Sequence, residues 1–136
     1  MSASAVPAGV QVGFHLCYGD YEHAHFVEPT DTSWIVRSAN ALCAALDRNV
    51  SWFHLPVPRG RDDDAYFAPL GGLDLDPATV VYLGLVHATD GVEGATRRAA
   101  AGRRHLPTFG VATECGMGRR DPTTIPDLLR LHAALC

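Results

Sequence analysis

The sequence contains no lysine, because all eleven of its basic residues are arginine. This absence excludes reactions through a Schiff base on a lysine amine, and also the phosphate-binding loop whose lysine contacts a nucleotide. Acidic residues outnumber basic ones and leave a net charge of −4. Since nucleic-acid-binding domains are usually basic, we expect no nucleic-acid partner.

Long apolar runs are also missing. No stretch approaches the ~18 apolar residues that a membrane-spanning helix needs, and we expect no membrane partner. Residues 1–9 lack the basic start and the apolar segment of a secretory signal. We therefore expect a flexible tail over residues 1–9 and one domain over residues 10–136, in a cytoplasmic protein.

Cysteines are few and irregularly spaced, with four in 136 residues, so a disulfide framework is not expected. Cys43 lies inside a helical pattern and is interpreted as a small buried hydrophobe. Cys136 is assigned no role. Cys17 and Cys115 each follow an apolar segment and stand among polar residues, so these two need another explanation.

Four apolar segments predict β-strands, at Val10–Tyr18, Val50–Val57, Val80–Val86 and Phe109–Thr113. Each precedes a predicted helix. The first runs from Asp31 to Arg48, capped by Thr30 or Asp31, and the second from Asp62 to Leu70, ending before Gly71. The third runs from Asp90 to Arg104 and opens with a capping box that includes Glu93, and the fourth begins at Thr124 with Pro126 in its first turn. The order is therefore strand then helix, four times over, which predicts an α/β fold with parallel strands.

Chain length leaves two architectures open. A complete (β/α)₈ TIM-type barrel takes ~250 residues, and this chain has about half of that. Residues 10–136 are predicted to form either half of such a barrel or a small open parallel α/β sheet. Hydrophobic periodicity alone does not choose between them.

Every predicted strand ends in residues able to bind a metal or move a proton. The first ends at His15 and Cys17, the second at His54, the third at His87, and the fourth at Glu114-Cys115. The carboxyl ends of parallel strands form one edge, which is where such folds place their active sites. We therefore expect these side chains to converge.

Three of these residues predict a zinc site. His15 and Cys17 are two residues apart in a strand and so point to the same side, and Cys115 adds a donor from another strand. Imidazole and thiolate suit Zn²⁺. His54 is the preferred fourth ligand and Glu114 the alternative, whereas His23 and His25, a loop pair, are more often simply solvated.

The motifs and their order resemble a known family. His15-Leu16-Cys17-Tyr18 resembles the His-x-Cys-Tyr zinc motif in the catalytic barrel of cobalamin-independent methionine synthase. Val86-His87 is similar to the strand-end histidine that donates a proton there, and Glu114-Cys115-Gly116 to its Asp-Cys-Gly segment, whose cysteine is a zinc ligand. The resemblance runs from about Gln11 to Leu135 and covers only the second half of the family's barrel.

The resemblance implies a zinc-dependent transferase that activates a thiol as methyl acceptor, with His87 as general acid. The glutamate zinc ligand of that family aligns with His54 in this sequence, so His54 is a departure from the family's pattern. Substrate contacts are predicted for three residues near the strand ends: Asp20, Arg59 and Glu114. The run Asp62-Asp63-Asp64 is more simply a solvated face or a helix cap.

Two other functions remain open at this stage. The same zinc site is able to activate a water molecule in a hydrolase or lyase, and a closed four-ligand site would be a structural module without activity. The expected partners are a small-molecule thiol and a methyl donor. We also expect a homo-oligomer or a complementary half-barrel chain, because parallel sheets are normally covered on both faces.

Overall fold

The computed structural model describes residues 5–21, 24–25 and 28–136, and for residues 20, 21, 24 and 25 it describes the backbone alone. Within residues 5–10, the Arg48 guanidinium donates hydrogen bonds to the carbonyl oxygens of Val6, Pro7 and Val10. The described part of the predicted tail is thus hydrogen-bonded to the domain.

A four-stranded parallel sheet is the centre of the fold. Its strands are β1 (Gly13–His15), β4 (Trp52–Pro56), β5 (Val80–Val86) and β6 (Gly110–Thr113), in that spatial order. All three pairings are parallel, as predicted. Because spatial order follows chain order, each strand is placed beside the one before it, and β1 and β6 are the two edges of this sheet.

Two short strands, β2 (Asp20–Tyr21) and β3 (Ala24–His25), form a separate antiparallel pair after β1. This pair is not predicted from the sequence, because two-residue strands have no readable alternation. The first predicted strand, Val10–Tyr18, is accordingly wrong in extent, since β1 keeps three residues.

Four α-helices follow the strands: α1 (Ser33–Ala45), α2 (Asp64–Phe67), α3 (Gly91–Arg103) and α4 (Ile125–Ala133). In α1 the apolar spacing buries Ile35, Val36 and Ala39. The backbone N–H of Ser33 donates to the Asp31 carboxylate over 2.8 Å. Asp31 therefore accepts from a backbone N–H of the first helical turn, although Thr32 is the N-cap residue.

Two helix predictions differ in detail from the structure. The short second helix continues through a 3₁₀ turn, Ala68–Gly72, that includes the two glycines expected to end it. At α3 the expected capping box is absent, because the Asp90 carboxylate binds the buried Arg98 guanidinium at 2.6 and 2.9 Å. The fourth helix begins after Thr124 with Pro126 in its first turn, as predicted.

The apolar core lies on one face of the sheet. Phe53, Leu55, Val81, Leu83 and Leu85 point to this face and are buried with side chains of α1 and α3. On the opposite face, neighbouring strands align His15, His54, Tyr82 and Gly110 in one row.

This second face, here called the bare face, is only thinly covered. Two of its side chains, Val80 and Tyr82, are 44% and 38% exposed. The Trp52 and Tyr82 rings lie over Gly13 and Gly110, where a Cβ atom would come within 2.5 Å of them. The described helices therefore pack mainly on one side of the sheet.

The protein is thus an α/β fold with a four-stranded parallel sheet, as the sequence predicts. Within the described ranges, no helix has both the length and the apolar character needed to cross a membrane.

Candidate metal centre

Three of the predicted ligands converge beyond the carboxyl end of the sheet. Donor atoms of His15, Cys17 and Cys115 all lie within 4.8 Å of one another. The two sulfur atoms are 3.4 Å apart although 98 residues separate them in sequence. His15 ends β1 and Cys115 follows β6, so the group joins segments from the two edge strands.

This convergence requires a curved arrangement. Three strand spacings of ~4.8 Å put the edges of a flat four-stranded sheet roughly 14 Å apart, farther than two cysteine side chains reach. The segments after β1 and β6 must therefore bend toward each other over the carboxyl end. Tyr18 helps to fix the first segment, because its hydroxyl lies 3.0 Å from that of Tyr66, which in turn donates to the Pro56 carbonyl.

The donor set fits a zinc ion. Bonds of ~2.3 Å in a tetrahedral shell separate two sulfur ligands by about 3.8 Å, and the present sulfurs lie within a few tenths of an ångström of that. Neither Cys17 nor Cys115 is in a disulfide. His15 and Cys17 are exposed and Cys115 is half-buried, so an ion has access from solvent. Partial burial lowers the pKa of His15, which favours the neutral imidazole that binds metals.

His54 contacts His15 and is not among the donors that converge within 4.8 Å. It lies in the middle of β4, two residues before the strand ends, and pairs in register with His15. The Nδ1 atoms of the two rings are 2.9 Å apart, and His54 Nε2 lies 3.1 Å from the Thr113 carbonyl oxygen. Burial, then the neighbouring His15 ring, lowers the pKa of His54 despite the opposing bond to Thr113.

His87, which is buried, and Glu114, which is half-buried, form a separate pair. His87 follows β5, and its Nδ1 lies 2.9 Å from the Glu114 carboxylate while its Nε2 lies 2.8 Å from the Val57 carbonyl oxygen. Arg120 also binds the Glu114 carboxylate. Partial burial alone would raise the pKa of Glu114, but His87 and Arg120 outweigh it and lower that pKa to about 2.

Glu114 is therefore expected to stabilise the fold in a pH-dependent way. Its pKa falls from 4.5 to about 2 on folding, which corresponds to about 3 kcal/mol. Because the folded-state pKa is the lower one, this stabilisation is present above pH 4.5 and is lost as the pH falls toward 2. Glu114→Gln should thus lower the free energy of unfolding by about 3 kcal/mol at pH 7, and much less near pH 2.5.

Urea unfolding of both proteins across this pH range measures the difference. Glu93→Gln is the control, since the Glu93 side chain is 88% exposed and pairs with Arg97 on the surface of α3. A difference between wild type and Glu114→Gln that stays constant with pH would contradict the expectation.

The remaining predicted residues occupy varied positions. Arg59 follows β4 and donates to the Thr89 hydroxyl over 3.1 Å. Asp63 accepts from the Tyr66 N–H at the start of α2, so the helix-cap interpretation of the Asp run is confirmed there. The Asp20 and His25 side chains, and His23 altogether, lie outside the described residues.

Several partners of the predicted residues have little or no signal in the sequence. Arg120, which binds Glu114, was not singled out, although an arginine six residues after a strand-end carboxylate offered a signal. The Thr113 carbonyl, which contacts His54, is a backbone group and has no sequence signal.

A scan of protein-family models and searches of curated proteins and of solved structures found no match to this chain.

Proposed function

We propose that the chain binds Zn²⁺ through His15, Cys17 and Cys115 and is a transferase that methylates a thiol. The observation that carries the proposal is the convergence of these three donors from the two edge strands, open to solvent. When bound, zinc would hold an acceptor thiol as the thiolate, the reactive form of sulfur near neutral pH. Catalytic zinc sites usually have three protein ligands and one open position, which this donor set matches.

The reaction class comes from the ordered motifs of the sequence. The acceptor sulfur forms a bond to the methyl carbon while the carbon–nitrogen bond of an N-methyl donor breaks. The departing nitrogen takes up a proton as it leaves. In this mechanism the protein must present a proton near the carboxyl end of the sheet, and it must keep that proton donor apart from the metal ligands.

His87 is the proposed proton donor. Both of its ring nitrogens face groups that accept hydrogen bonds, the ionised Glu114 carboxylate and the Val57 carbonyl. Both nitrogens can donate to these acceptors at once only in the imidazolium form, which is the form that has a proton to give. To protonate a substrate, Nε2–H has to leave the Val57 carbonyl, so substrate binding would have to displace that hydrogen bond.

The test is methyl transfer from an N-methyl donor to an added thiol, followed by mass spectrometry of the thiol product with zinc-loaded protein. Appearance of the thioether with loss of one methyl from the donor supports the proposal. Hydrolysis or elimination without methylation would instead support a hydrolase or lyase. A metal that does not exchange and accepts no thiol would support a structural module.

The proposal extends to the architecture: the sheet is half of a (β/α)₈ barrel, completed by a second copy of this chain. Sequential strand order, helices mainly on one side, and edge strands whose ends bend together all support a barrel-like curve. Two copies related by a two-fold axis along the barrel would pair β6 of each with β1 of the other. A separately encoded first half is the alternative partner.

We expect a dimer of about twice 14.6 kDa by light scattering after size-exclusion chromatography. Val80→Glu should dissociate it, because this valine lies on the bare face and a buried unpaired charge is costly. Val92→Glu is the matched control, since Val92 is 41% exposed on α3, close to the 44% of Val80. A well-folded 14.6 kDa monomer at micromolar concentration would contradict a homodimer.

A further inference from the structure

We propose that His54 is a positioning residue: it holds His15 in the tautomer that directs the Nε2 lone pair of His15 to the metal. This inference rests on the metal-binding part of the proposed function and not on the methyl-transfer reaction. It assigns His54 a different role from the fourth ligand that the sequence suggested.

The tautomers follow from one backbone contact. A carbonyl oxygen only accepts hydrogen bonds, so His54 must carry its hydrogen on Nε2, which faces the Thr113 carbonyl at 3.1 Å. Neutral His54 then has a lone pair on Nδ1. The His15 Nδ1 lies 2.9 Å from that lone pair and must be the donor. In neutral His15 the remaining lone pair is therefore on Nε2.

The backbone holds this chain of hydrogen bonds in place. His15 and His54 are register partners on the bare face, and their ring centroids are 4.7 Å apart. Gly84 of β5 has no side chain, and the contact between His54 and the Thr113 carbonyl occupies the space beside it. A Cβ atom there would lie 3.2 Å from both His54 Nε2 and the Thr113 carbonyl oxygen. The contact between His54 and Thr113 is thus accommodated by a residue without a side chain.

The arrangement matches the way proteins orient metal-binding histidines. The ring nitrogen that does not bind the metal usually donates to a neighbouring acceptor, and loss of that acceptor typically lowers metal affinity 10–100-fold. Here the acceptor is a second imidazole, itself oriented by a carbonyl. As a direct ligand, His54 would instead turn its Nδ1 lone pair away from the His15 hydrogen, and its donor atoms are not part of the converging group.

Nitrogen NMR of ¹⁵N-histidine-labelled protein tests the assignment, first without metal and then with ¹¹³Cd²⁺ as the probe. Without metal we expect His54 with hydrogen on Nε2 and His15 with hydrogen on Nδ1. With cadmium we expect ¹¹³Cd coupling to Nε2 of His15 and to the cysteines, and none to His54. Coupling to either nitrogen of His54 would overturn the proposal, as would the opposite tautomers in the metal-free protein.

His54→Phe separates a positioning role from a ligand role, because it keeps a ring but removes both nitrogens. Zinc affinity should fall 10–100-fold, while X-ray absorption should count the same nitrogen and sulfur ligands as in wild type. Loss of one nitrogen ligand, or unchanged affinity, would overturn the proposal. Failure of wild type to bind either metal would overturn the metal centre itself, whereas absence of methyl transfer with these results intact would overturn the proposed reaction alone.

Discussion

Cys115→Ser is expected to lower zinc affinity by about 10²–10³-fold. Zinc binding by four-ligand protein sites is worth ~10–16 kcal/mol, or about 2.5–4 kcal/mol per ligand. The serine hydroxyl that replaces the thiolate stays neutral near pH 7. Most of the contribution of Cys115 to the free energy of zinc binding is therefore lost. The measurement is competition against a chromophoric chelator at constant pH.

Two variants make this result specific. Cys43→Ser is the matched control, because Cys43 lies half-buried in α1 and burial raises its pKa, so it should bind zinc like wild type. The double variant Cys17→Ser, Cys115→Ser should contain no zinc after purification. Full zinc occupancy in that double variant would show that other residues bind the metal.

His87→Asn should keep the zinc and lower the rate of methyl transfer by ~10²–10⁴-fold, the usual contribution of a general acid. Asparagine retains one amide donor for either Glu114 or Val57 but has no proton of suitable acidity to give. Turnover under saturating substrate and zinc content of the same preparation are the two measurements.

His105→Asn is the control for that experiment. His105 contacts Asp64 at 2.9 Å on the surface, away from the converging donors, and its replacement should leave turnover unchanged. If zinc is lost together with His87, this histidine is a ligand and not the proton donor. Equal loss of activity in both variants would indicate a general effect on folding.

The sequence predicted the order of elements better than their ends. The strand Val80–Val86 is confirmed residue for residue, because its apolar run is bounded by Thr79 and His87. His54, by contrast, was taken as a strand end and lies in mid-strand. Leu55 and Pro56, both inside the predicted segment Val50–Val57, follow His54 and continue the pairing with β5.

The metal donors illustrate the same limit. Strand alternation predicted that His15 and Cys17 share a side, although Cys17 lies beyond the end of β1. The meeting of Cys17 with Cys115 depends on how strongly the sheet bends, a property of all four strands together. The ion pair of Asp90 was also not predicted. Asp90 was expected to cap α3, but its carboxylate binds the buried Arg98 guanidinium instead. A charge that must be buried needs a partner more than a helix end does.

The position of Cys17 and Cys115 at opposite edges of one sheet has a mechanical consequence. An ion bound between them would cross-link the segments that follow β1 and β6, the two edge strands of the sheet. Occupancy would then narrow the range of curvatures that the sheet samples. If two copies close a barrel as proposed, that barrel accepts a narrow range of curvatures. Metal binding should then strengthen the pairing of the two copies, and chelation should weaken it.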